Sequence, residues 1–137
     1  MRDMTVIEFL RPEGLVASPA FSHVAIVPPG ATTIHLGGQN GVDETGAIVA
    51  PDVAGQARRA LENARLALAA AGAGLDDVVS WTVFIAEGAD LGAAYGAIAP
   101  LLAREGAPPL VTAARVAGLG VPGALIEIGA IAAVVRD

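Results

Sequence analysis

The sequence predicts a two-layer α+β domain, a mixed six-stranded sheet with two helices on one face, in the order β-β-β-α-β-α-β-β. Three observations predict it. Six short apolar or β-branched runs are bounded by Gly and Pro, two longer stretches carry helical periodicity, and 137 residues suit one domain spanning residues 1–137.

Thr5–Leu10 reads as the first strand, and Arg11–Pro19 as a loop. Ser22–Val27 and Thr32–Leu36 read as the next two strands, with Pro28-Pro29-Gly30-Ala31 as the hairpin loop between them and Gly37-Gly38 as the stop. After Pro51-Asp52, residues Val53, Ala57, Ala60, Leu61, Ala64, Leu68 and Ala71 fall at helical spacing. Gln56, Arg58, Arg59, Glu62 and Arg65 take the other side, where the charged residues suit a solvated face. Asp52 fits the N-cap and Gly72 the C′ position. Val78–Ile85 is a strand, and Asp90 starts a second helix through Leu91, Tyr95, Ile98 and Leu102, which Pro100 should kink or end early. Leu110–Val116 and Leu125–Val135 close the chain around the turn Gly118–Gly123.

Composition narrows the function. Charged residues are 16% and hydrophobic residues 54% of the chain, against about 25% charged in an ordinary soluble domain. A monomer this small has much surface for its volume, so the apolar excess points to burial in a membrane or against other subunits. The stretches Leu91–Ala103 and Val116–Ile126 are shorter than the ~18 residues a spanning helix needs, and both carry Gly and Pro. Asp3 and Glu8 interrupt the N-terminus where a leader would be apolar. The expectation is a cytoplasmic homo-oligomer with no membrane contact.

All eight basic residues are arginine, which excludes lysine Schiff-base chemistry and a lysine-dependent P-loop. With no cysteine there is no thiol nucleophile, and two histidines are too few for a histidine-rich metal site. A net charge of −6 disfavours nucleic acid as a partner. Gly37-Gly38-Gln39-Asn40-Gly41 lacks the order of a dinucleotide fingerprint, and Ser18, Ser22 and Ser80 sit in no nucleophile elbow. No cofactor and no metal are expected.

Three segments carry a family resemblance. His35-Leu36-Gly37-Gly38-Gln39, followed by Gly41-Val42-Asp43, resembles a strand-end "SGQ" motif. Asp52–Asn63 resembles a first-helix pattern, and Ile126-Glu127-Ile128-Gly129-Ala130-Ile131-Ala132 resembles a closing "IEIEAIA" strand. Together, from about Pro19 to Val135, the chain resembles the Rid family (YjgF-type reactive intermediate deaminases), whose members have also carried an endoribonuclease label. The resemblance implies a chorismate-mutase-like fold, a homotrimer, and small-molecule clefts between adjacent subunits. In such clefts the best-known members hydrolyse 2-imino acids and their enamines without a cofactor.

Carried over by residue, the family's water-holding glutamate corresponds to Glu127 and the turn glycine to Gly38. Its serine is replaced by Gly37, its early tyrosine by Phe21, and its carboxylate-gripping arginine by Val111. The resemblance therefore implies a divergent site acting on something other than a simple 2-imino acid, or a trimer that binds a metabolite without turnover. Arg115 shares a strand face with Val111 but lies roughly 13 Å along it at ~3.3 Å per residue. It is either a displaced ligand contact or a structural partner of Glu127 or another acid. Glu127, flanked by Ile126 and Ile128, is either functional or a structural acid. His23 beside Phe21 and Ser22 is a ligand candidate, whereas His35 reads as an ordinary strand residue and Trp81, Phe84 and Tyr95 as core.

Overall fold

A computed structural model describes residues 5–136; Asp3, invoked above, lies outside the described residues. The chain runs β1 (Glu8–Leu10), β2 (Val24–Ile26), β3 (Thr32–Asn40), α1 (Val53–Ala70), a single 3₁₀ turn (Leu75–Asp77), β4 (Val78–Ala86), α2 (Leu91–Leu102), β5 (Leu110–Val116) and β6 (Ile126–Val134). Six strands and two helices stand in the expected order. Four strands form a mixed sheet in the order β3-β6-β4-β5, and β1 and β2 pair apart from it as a ribbon. β6 runs antiparallel to both its neighbours, while β4 and β5 are parallel, joined by α2.

The segment Pro28–Ala31 is consequently not a hairpin loop. β2 pairs with β1, and β3 with β6, so this turn carries the chain from ribbon to sheet, with Gly30 at φ +86°. β3 also continues past its expected stop. Gly37 and Gly38 are absorbed where the β3–β6 register shifts between Leu36 and Gln39, opposite Gly129, and the strand resumes to Asn40. At the N-terminus β1 begins only at Glu8, and Ser22 stays outside β2 because its N–H donates to Pro109 O at 3.0 Å.

α1 starts and stops as its sequence dictates. Asp52 caps it by accepting from Gly55 N at 3.0 Å. At the other end Gly72 N–H reaches Ala69 O and Ala73 N–H reaches Leu68 O, with Gly72 at φ +76°. That pair of bonds is a Schellman motif, which needs the left-handed glycine. Pro100 neither ends nor shortens α2, which reaches Leu102. The acceptor it frees, Gly96 O, sits with Pro100 on the solvent side, where water can satisfy it.

The core lies between the helices and one face of the sheet: Ala57, Leu61, Ala64 and Leu68 of α1 meet Trp81, Ile85, Ile126 and Ile128. Gln56 departs from its expected polar face and is 1% exposed. Its amide donates to Ala50 O (3.0 Å) and Gly123 O (3.2 Å) and accepts from Leu125 N (2.8 Å). Arg59 also turns inward, Nε donating to Val42 O at 3.0 Å, and Asn63 donates to Asn40 O and Val42 O. Of the expected solvated charges, Arg65 and Glu62 pair at 2.5 Å.

Each buried group left without its partner costs about 1–3 kcal/mol. Gln56→Leu keeps the volume and strands three backbone groups, so urea unfolding should show a loss of about 3 kcal/mol. Exposed Arg58→Ala should stay within about 0.5 kcal/mol of the parent.

Candidate functional site

The sheet has one face under the helices and one left open in a single chain. Alternation assigns the residues. Trp81, Val83, Ile85, Ile126, Ile128 and Ala130 point to the helices, so Thr82, Phe84, Glu127, Gly129 and Ile131 point the other way. On the open face Ile131 stays 40% exposed.

Glu127 sits on that face near the start of the interior strand β6. It pairs across β6 with Phe84 on one side and Asn40 on the other. Its side chain packs beneath Gly38: a Cβ built there would lie 2.6 Å from the Glu127 carboxyl carbon and 2.6 Å from Oε2. The notch therefore exists only because residue 38 has no side chain. Among the described residues, no hydrogen-bond donor meets the carboxylate. Asn40, 9% exposed, uses its amide on Ile126 O at 3.0 Å and pins the end of the notch. A half-buried carboxylate with open lone pairs can hold a water or accept a proton from one.

The structure brings Gly38, Gly37 and Glu127 together and leaves the other expected site residues elsewhere. Val111 pairs in register with Trp81, and Arg115 with Ile85, so both belong to the helix side of the sheet. Val111 is 41% exposed at the edge strand. Arg115 donates from Nη1 to Ala89 O at 2.8 Å, which ties β5 to the loop before α2 and leaves Glu127 on the opposite face. Phe21 stacks edge-on against His23 with centroids 5.5 Å apart, beside the start of β5, and His23 Nε2 lies 2.7 Å from Val16 O. Within one chain these residues do not line one cleft with Glu127. His35 pairs with Ile131 on the open face and is exposed.

Phe84 and Asn40 were missed as neighbours of Glu127. The alternation of Trp81, Val83 and Ile85 carried the signal for Phe84, but an aromatic in an apolar strand reads as core. Asn40 lies beyond the glycine pair at which the β-branched strand pattern stops.

A second feature lies on the helix side. A cavity of about 370 Å³ runs between α2 and β4–β5, with Trp81, Val83 and Ile128 along its wall and Tyr95, Ile98 and Leu102 on the α2 side. Arg104 lines it too. Nε and Nη2 donate to Ala107 O, and Nη1 donates to Asp76 O and Val78 O at 3.0 and 2.9 Å. Burial pulls the Arg104 pKa down, while Asp76 and Asp77 pull it up.

The model of a protein family described as endoribonuclease L-PSP matches residues 13–134. No curated protein sequence matches the chain. Among solved structures, a Rid-family protein of unknown function, YyfB from Yersinia pestis, is 27% identical with a TM-score of 0.79, covering 92% of this chain and 97% of its own. The YjgF gene product of E. coli is 31% identical over 79% of this chain and 87% of its own, with a TM-score of 0.66. RidA from a Psychrobacter species, at 24% identity and a TM-score of 0.66, shares the fold over 96% of this chain and 98% of its own.

The notch supplies its own test. In Gly38→Ala the obstructing atoms belong to the end of a flexible side chain, so the fold should lose only about 1 kcal/mol while a crystal structure shows the Glu127 carboxylate displaced. Gly41→Ala would instead meet Gln56 Cα at 2.5 Å, a backbone clash no rotamer relieves, and should cost about 3 kcal/mol.

Proposed function

The chain belongs to the endoribonuclease L-PSP family, which includes the Rid (YjgF) proteins, and from that premise we propose that it is a homotrimeric, cofactor-independent hydrolase of imines or enamines. The observation that carries the reading is the Glu127 carboxylate, half-buried on an open sheet face, seated under Gly38 and free of protein donors among the described residues. An imine carbon is already electrophilic, so orientation and a placed water suffice. An enamine first tautomerises to the imine, taking a solvent proton at its β-carbon and losing one from nitrogen. Glu127 accepts a proton as the water oxygen bonds to the imine carbon, and the C=N electron pair moves to nitrogen, which takes up the proton that Glu127 accepted. The carbinolamine then collapses, its C–N bond breaking to leave a carbonyl compound and ammonia or an amine.

A second copy completes the site in this reading. The open face and the exposed strand β5 are where the apolar excess of the composition would be covered, and Phe21, Val111 and Arg115 approach Glu127 only from another chain. Valine at 111 offers no carboxylate grip, which favours a neutral substrate over a 2-imino acid. RNA is a poor fit for a chain of net charge −6 without lysine.

Ammonia release from neutral enamines should exceed the buffer rate, and Glu127→Gln should lower it at least about 100-fold, the usual contribution of a positioned acid–base group. No acceleration with neutral enamines or 2-imino acids would dispose of the hydrolase. Val111→Arg should tighten binding of small 2-keto acids by roughly one to two orders of magnitude, since a bidentate charged contact is worth about 1.5–3 kcal/mol. Calorimetric titration checks that gain, and light scattering should report three chains.

A further inference from the structure

The cavity beneath α2 has no part in the chemistry assigned to Glu127, which lies on the other face of the sheet. Its shape and wall are those of a ligand site in their own right. At about 370 Å³ it falls within the range of small-molecule pockets, roughly 300–1,000 Å³. An apolar cavity of about 150 Å³ takes one benzene, so this volume matches two fused rings. The wall is mostly carbon, with the indole of Trp81 along it.

The single charged side chain in the wall is already committed. Four of the five N–H groups of Arg104 donate to the carbonyls of Ala107, Asp76 and Val78, and its face lies 5.2 Å from the Phe9 ring. Asp76 and Asp77 stand close enough to act on its charge. An anion entering here would lose its hydration and find all but one of the cation's donors spent. A neutral ring system loses little and gains apolar contact along the wall. The polar contact left to it is at Tyr95, which lines the cavity and is 51% exposed.

We propose that the cavity between α2 and the β4–β5 edge binds a neutral, two-ring aromatic compound without any contact from Glu127. Val111 is the residue common to both readings. The chain has one tryptophan, so one indole N–H resonance reports occupancy of this wall. Titrating the full-length protein with 2-naphthol should move that resonance saturably, and 2-naphthoate, of the same size but anionic, should bind at least tenfold more weakly. Ala99→Phe fills the cavity from α2 and should weaken 2-naphthol at least tenfold. Val111→Phe narrows the exposed mouth and should do the same where Ala99→Phe fails to fold. Glu127→Gln should leave 2-naphthol binding unchanged, which separates this inference from the hydrolase reading. The proposal is overturned by an unmoved resonance, by equal affinity for naphthoate, by filled variants that bind as the parent does, or by loss of binding in Glu127→Gln.

Discussion

The close approach of α1 to the end of β3 is the constraint on which the rest of the structure depends. Gly41 lies against the backbone of Gln56, closer than any side chain would permit. From that contact α1 extends three polar side chains, Gln56, Arg59 and Asn63, one or two turns apart along the helix. They take up the carbonyls of Asn40, Val42, Ala50 and Gly123. A helix that binds a loop through its side chains fixes both at once. The loop's backbone groups find partners that the sheet cannot supply at its margin, and the helix is held in register over the sheet. The glycine bulge and the Glu127 notch lie immediately upstream, so their geometry follows from that grip.

The sheet separates two environments that a reading by residue type would merge. Its open face carries the carboxylate, beside backbone exposed by two successive glycines. Its covered face carries a mostly apolar cavity and a cation bound up in backbone carbonyls. Strand periodicity makes this separation strict: a side chain one position away along β4 or β6 belongs to the other environment. Phe84 and Ile85 are the example, one beside the carboxylate and the other in the core.

The layers, the element order and the caps of α1 were legible because they depend on local patterns. Helical spacing placed the core residues from Val53 to Leu68, and Asp52 and Gly72 marked the helix ends. What escaped depends on contacts between distant segments. Gln56 looks solvated by helical position, yet is buried because the Ala50 and Gly123 loops reach it from 6 and 67 residues away. Strand partnership is equally non-local, so the turn at Pro28 looked like a hairpin although its flanking strands belong to different sheets. At the candidate site Glu127 and Gly38 were legible as a pair through the family pattern. The face occupied by Val111 and Arg115 was not, since it follows from their registry with Trp81 and Ile85.

Strand β5 closes one side of the sheet, and among the described residues no strand pairs with its other edge, in the order β3-β6-β4-β5. Most of its residues are exposed in a single chain, and none is a lysine or proline, the usual guards against edge-to-edge pairing. Arg115 is its one charge, and the bond to Ala89 O holds it to the strand's own end. A newly made chain thus presents a sticky border with a single gatekeeper. Ordered pairing with a second strand and aggregation would draw on the same few residues, and a charge added at Ala113 would oppose both.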